Sequence, residues 1–131
     1  MKHKIESPLF VELPRKTTKS KRISLNMNVY RNLHHRTSND AKKMYHKLMR
    51  YQLEDLEIKT PVEITYKVYK ATKRKLDKMN VISIVSKFLL DSITGYGCWE
   101  DDNDDYVKKE TILPTELDRD RPRVEIIIKE I

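Results

Sequence analysis

The most constraining stretch of the chain runs from Lys75 to Asp105, KLDKMNVISIVSKFLLDSITGYGCWEDDNDD. It reads as a helix with one polar stripe, a short glycine-containing turn and a dense run of carboxylates. Asn80, Lys87 and Asp91 lie on one face of such a helix, because their spacings of seven and four match its turns of about 3.6 residues. Val81, Ile82, Val85, Phe88, Leu89 and Ile93 fill the rest of the circumference, so most of the helix is expected to be buried. Unpaired buried charge is costly, and the stripe therefore needs partners. The nearest in sequence are Asp77, just before the helix, and Asp101 and Asp102, just after the turn.

A chain of 131 residues is expected to form one domain with a real hydrophobic core. Its 38% hydrophobic and 36% charged residues place it among strongly charged soluble proteins. No apolar run approaches the roughly 20 residues of a membrane span, and MKHKIESPLFVEL lacks the apolar segment of a secretory signal. A single cysteine, Cys98, excludes an internal disulfide and a multi-cysteine zinc site. A reducing, cytoplasmic setting is the expectation, without a membrane partner.

The net charge of +7 is unevenly spread. Residues 1–59 hold 14 Lys/Arg against 6 Asp/Glu, whereas residues 100–120 hold 3 against 9. A basic body with an acidic focus suits a protein that holds a polyanion and directs a metal at it. Two solvated surface regions of opposite sign would give the same totals.

Residues 7–13, SPLFVEL, suit a first strand ending at Pro14. RKTTKSKR follows, with Arg15, Lys16, Lys19, Lys21 and Arg22 and no large apolar side chain. As a mobile loop it could grip phosphates by charge alone; as a simple turn it would only aid solubility. Asn26, Asn28, Arg31, His34, His35 and Arg36, with Tyr30 among them, suit sugar–phosphate contacts. The adjacent histidines point different ways on a strand and have no further ligand at metal spacing, so ordinary loop histidines or histidines in contact with DNA are the better reading.

Ser38 reads as an N-cap, with Asp40 in the first turn of a helix. Ala41, Met44, Tyr45, Leu48, Met49 or Tyr51, Leu53 and Leu56 supply its apolar periodicity. Lys42, Lys43, Lys47 and Arg50 form a basic outer face whose ordinary role is solvation, but which could flank a polyanion. Val62, Ile64, Tyr66 and Val68 alternate with Glu63, Thr65, Lys67 and Tyr69 in a half-buried strand. It runs into a second basic patch, Lys70, Lys73, Arg74, Lys75 and Lys78, which brings positive charge to Asp77. DYVKKETIL reads as a strand, ELDRDRPR as a charged turn, and RVEIIIKEI as the closing strand. The expected fold is α+β: one domain with a mixed four- or five-stranded sheet packed with two principal helices.

Glu100, Asp101, Asp102, Asp104 and Asp105 repel one another unless a cation or basic partner relieves them. Hard cations such as Mg²⁺ choose oxygen ligands of this kind. The string is no EF-hand loop, since it lacks the glycine at its sixth position and the glutamate at its twelfth. Two glycines are too few for a nucleotide cradle, so no small-molecule cofactor is expected.

Lys87, Asp91-Ser-Ile, Gly97, Trp99 and Asp101-Asp102 together resemble the RusA family of Holliday-junction resolvases, particularly its phage-encoded branch. Asn26, Asn28, Tyr30 and Arg31 echo an N-terminal element of that family, and RVEIIIKEI resembles its last strand. The likeness runs from about Leu9 to Ile131 and is specific chiefly between Asp77 and Asp102. Asp77 and Asn80 look like the family's first aspartate and its asparagine, but Met79 stands in place of the intervening aspartate. Asn80 also precedes Lys87 by seven residues, where the bacterial enzymes have three; the extra four keep the same helix face. A ligand lost at Met79 is left to Asp91, Asp101 or a water.

The resemblance implies a homodimeric, Mg²⁺-dependent endodeoxyribonuclease, with Mn²⁺ able to substitute, that nicks four-way DNA junctions symmetrically during recombination or repair. On that reading residues 1–131 form a single endonuclease domain, working in the host cytoplasm if phage-encoded. Asp77, Lys87, Asp91 and Asp102 are its implied catalytic residues, and Asp77, Asp91, Asp101 and Asp102 its metal ligands. Arg15, Lys16, Lys19, Lys21, Arg22, Asn28, Arg31, Lys73, Arg74 and Lys75 are the expected DNA contacts. A non-catalytic, structure-selective DNA-binding relative is the alternative. An RNA-binding or protein-interaction module leaves the polar stripe unexplained.

Overall fold

Val62, Ile64, Tyr66 and Val68 are completely buried in the computed structural model, which describes residues 1–16 and 19–131. Their alternation forms β4 (Val62–Lys70), whose inner face is apolar and whose outer face is only half-covered. The closing segment forms β7 (Arg123–Glu130) and pairs antiparallel with β4. Ile64 faces Ile128, Tyr66 faces Ile126 and Val68 faces Val124, so the buried positions of the two strands meet in register.

β7 is thus an interior strand. Its other edge is taken by β1 (Lys2–Ser7), again antiparallel, with Ile5 opposite Ile126. β5 (Val107–Ile112) runs parallel to β4, and the two-residue β6 (Glu116–Leu117) pairs with the last residues of β4. The result is a mixed five-stranded sheet in an α+β domain. β2 (Phe10–Leu13) and β3 (Lys21–Ser24) form a separate antiparallel hairpin.

Parallel neighbours need a crossover, and α4 (Lys78–Gly95) supplies it between β4 and β5. Nine of its residues, including Val81, Val85, Phe88 and Ile93, are buried. Tyr66 Oη donates to Glu110 Oε2 at 2.7 Å and lies 3.0 Å from Ser86 Oγ, joining β4, β5 and α4 at one polar point. Burial pushes the Tyr66 hydroxyl far above its ordinary pKa, so it stays a donor.

α1 (Met27–Arg31) and α2 (His35–Leu48) pack beside α4, and α3 (Arg50–Leu53) continues α2 after a break at Met49. Phe88 is where these helices meet. The Tyr30 ring meets it edge-on at 5.8 Å and the Tyr45 ring at 5.6 Å. Tyr45, itself buried, hydrogen-bonds Ser7 Oγ at 2.8 Å and so ties α2 to the end of β1.

Three local expectations are corrected. SPLFVEL is not one strand: Pro8 and Leu9 separate β1 from β2, and the charged KHKIES before them pairs because Ile5 and Ser7 can face the core. α2 begins before Ser38, at His35, because His34 Nδ1 accepts the Arg36 N–H at 3.1 Å and caps the helix. Asp40 therefore lies inside α2. In the basic segment, Lys21 and Arg22 belong to strand β3 rather than to a loop, while Thr17 and Thr18 lie outside the described residues. No helix among the described residues is long and apolar enough to cross a membrane.

Candidate functional site

α4 ends in a tight reversal that fixes where the acidic segment begins. The Gly97 N–H donates to Thr94 O and the Cys98 N–H to Ile93 O, both at 3.0 Å, which is the paired bonding of a Schellman cap. Gly97 sits at φ +75°, a conformation that favours glycine. Trp99 is then folded back, its Nε1 donating to Thr94 Oγ1 at 2.7 Å, and Cys98 is buried against Leu53 O. Burial pushes the Cys98 thiol up, which suits a packing role.

This turn returns the chain toward the last turns of α4, so that Asp102 comes near enough to Asp91 to feel its charge. Asp101 Oδ1 accepts the Asp102 N–H at 2.8 Å, and Asn103 Oδ1 accepts the Asp105 N–H at 2.9 Å, so the loop is folded on its own side chains. Burial is the main cause that raises the Asp102 carboxyl above its ordinary pKa. A hydrogen bond with the Asp101 side chain and the charges of Asp91 and Asp101 add to it, against an opposing backbone hydrogen bond. Asp104 and Asp105 are exposed on the outer side of the loop.

Lys87 lies one helical turn before Asp91, exposed, with its ammonium 5.6 Å above the Tyr30 ring. Asp91 is half-exposed, and its carboxylate pairs with Lys42 Nζ of α2 at 2.8 Å. Asp91 stands near the negative end of the α4 dipole, where a carboxylate is disfavoured, so Lys42 supplies the countercharge that α4 lacks in its last turn. The polar stripe of α4 therefore lies along the rim of the helix, not within the core as its apolar neighbours suggested.

Asp77 is elsewhere. It is the N-cap of α4, and its Oδ1 accepts the Met79 N–H at 3.1 Å. At about 1.5 Å of rise per residue, the fourteen positions to Asp91 span roughly 21 Å. Asp77 cannot share a metal ion with Asp91, Asp101 or Asp102 within one protomer. The parallel pairing of β4 and β5 explains the separation: α4 carries the chain from one end of the sheet to the other. Lys73, Arg74 and Lys75 are exposed beside Asp77, and Met79 is 52% exposed.

The other expected contacts divide between two surfaces. Arg15, Lys16, Lys21 and Arg22 are exposed on the β2–β3 hairpin and its connection, where Lys19 also lies. Arg22 stacks over Phe10, 3.6 Å from the ring centre, and approaches Glu12 at 3.9 Å. Asn28 and Arg31 are exposed on α1, next to the Tyr30 that underlies Lys87. Sequence reasoning missed the Lys42–Asp91 pair and the nearby His46. Their signal was present only as α2's basic stripe, since nothing local says which helix that stripe faces.

All-oxygen donors such as Asp91, Asp101 and Asp102 fit a hard divalent cation. Among the described residues, no three acidic, histidine or cysteine side chains form a group that could hold one. Compared with known proteins, the chain matches no family model and no curated protein.

Proposed function

We propose that this protein is a metal-dependent endodeoxyribonuclease of the RusA type that cuts four-way DNA junctions. The observation that carries the proposal is the rim of α4, where Lys87 and Asp91 lie one helical turn apart and the returning Asp102 feels the charge of Asp91. Asp91, Asp101 and Asp102 would hold Mg²⁺ or Mn²⁺. A bound ion would supply activated water and stabilise charge on the phosphate. Lys87 would neutralise the scissile phosphate as its charge develops. Exposed basic side chains on the hairpin, α1 and the Lys73–Lys75 loop would hold the DNA backbone. Two such patches in a homodimer would match the two-fold symmetry of a junction and give paired nicks.

A second reading, a DNA-binding relative without chemistry, is favoured by one feature. Asp77 is engaged as a helix cap far from the carboxylate patch, and Met79 next to it offers no ligand oxygen. Incubation with an end-labelled four-way junction in Mg²⁺, Mn²⁺ or EDTA separates the readings. Symmetric nicks that require the metal support the nuclease. Binding without nicks in either metal would overturn it in favour of the binder.

A further inference from the structure

The seam between α2 and α4 contains a cleft of about 360 Å³ lined by Asn39, Lys42, Lys43, His46, Asp91 and Ser92. Asn39, Lys42, Lys43 and His46 follow one another at helical spacing, so α2 presents them as one stripe. The His46 ring is held in place: it stacks on Tyr96 with centroids 4.0 Å apart and planes within 3°. Tyr96 Oη donates to the His46 carbonyl oxygen at 2.5 Å. Gly95 makes room for this arrangement, because a Cβ there would come within 2.9 Å of His46 Cε1. His46 is thereby pre-positioned, which lowers the ordering cost of binding.

The charges in the cleft suit an anion. Lys42 neutralises Asp91, the cleft's carboxylate, at 2.8 Å. Among the described residues, neither the Lys43 ammonium nor the His46 imidazole has a hydrogen-bond or ion-pair partner. Lys43 also lines an adjoining cavity of about 280 Å³ together with Arg15 and Lys47, where these three cations outnumber its one carboxylate, Asp40. The two cavities form a basic track that leads away from Asp91 along α2.

We propose that this track is a DNA-backbone site: Lys43 and His46 grip the phosphate next to the one presented at Asp91, and Lys47 and Arg15 follow the strand outward. The choice of DNA rests on the nuclease reading above, and the anion site itself does not. Its spacing along a helix suits successive phosphates, which position a substrate without reading its sequence.

The test is the salt dependence of four-way-junction binding, measured by fluorescence anisotropy in EDTA, where no cleavage intervenes. Lys43→Gln should weaken binding equally for junctions of different sequence and make the log K against log salt slope shallower by about one. His46→Ala should weaken binding also, whereas Lys2→Gln, on the far edge strand, should leave the slope unchanged. A wild-type slope in Lys43→Gln would overturn the track and leave the nuclease reading standing on its own cleavage assay. If the wild type binds no junction, the nuclease reading falls, and a titration with inorganic phosphate decides the anion site. A saturable NMR shift of the His46 side chain that Lys43→Gln abolishes would retain it; no shift would overturn it.

Discussion

Asp77 and Asp91 stand at opposite ends of the same helix, the first as its N-cap and the second paired with Lys42 near its C-terminus. One rigid element therefore assigns the two aspartates separate roles. Asp77 stabilises α4, and Asp91 lies where the returning chain brings Asp102 within reach of its charge.

That division predicts a contrast between substitutions. Asp77→Ala should cost about 1 kcal/mol of stability by removing the cap, whereas Asp77→Asn, which can cap equally well, should cost little. Asp102→Asn should reduce junction cleavage at least about a hundredfold, the scale seen when a group acting on transition-state charge is lost. Junction binding should persist, because less negative charge then faces the DNA. Lys87→Ala should abolish cleavage while leaving Mg²⁺ binding intact. Thermal melts beside single-turnover cleavage read both effects. A cleavage loss in Asp77→Asn as large as in Asp102→Asn would show that capping is not the whole role of Asp77.

The hairpin should behave as a purely electrostatic handle. Lys21→Gln with Arg22→Gln should weaken junction binding and lower its salt slope by about two, one for each phosphate contact. Arg22 also covers Phe10, so a circular dichroism melt should accompany the titration. An unchanged slope would identify the hairpin as a solvated arm.

Gly97→Ala should destabilise the protein by about 1–2 kcal/mol, the penalty of a left-handed conformation for a residue with a Cβ. The cost is one of backbone conformation, because among the described residues no heavy atom beyond Gly97 and its chain neighbours lies within 4 Å of the position that Cβ would take. Gly97→Asn should cost less, since asparagine tolerates this conformation better. Chemical denaturation measures both, and equal losses would point to a steric cause instead.

Stability should fall in acid through paired carboxylates along and beside β7. A hydrogen bond from Arg123 is the main cause that lowers the Asp118 carboxyl pKa, with a second from the Arg121 N–H. Burial alone would raise Glu125, but its hydrogen bond with Arg123 and the charges of Lys4, Arg123 and Lys67 bring it below its ordinary value. The Lys59 N–H and then His3 lower Glu130. Carboxyls depressed in the folded state add stability above their unfolded pKa values, and that stability is lost as pH falls through the folded ones. The loss should begin below about pH 4. Arg123→Met should lower the melting temperature at pH 7 and flatten its decline between pH 4 and pH 2. A parallel acid limb in the variant would remove Arg123 from the account.

The alternation of Val62, Ile64, Tyr66 and Val68 was enough to specify a half-buried strand, because a period of two has only one buried face to offer. The apolar positions of α4, the glycine turn and the closing RVEIIIKEI strand were legible for the same reason: local periodicity and backbone geometry carry them. β1 was not legible, since KHKIES becomes a strand only when β7 offers it an edge. The meeting of Lys42 with Asp91 was likewise beyond the sequence, whereas the distance from Asp77 to Asp91 follows from the length of one unbroken helix. A helical stripe records which residues share a face, but not what lies opposite it. Only the packing of α2 and of the returning loop against α4 decides that Lys42 and Asp102 become the neighbours of Asp91.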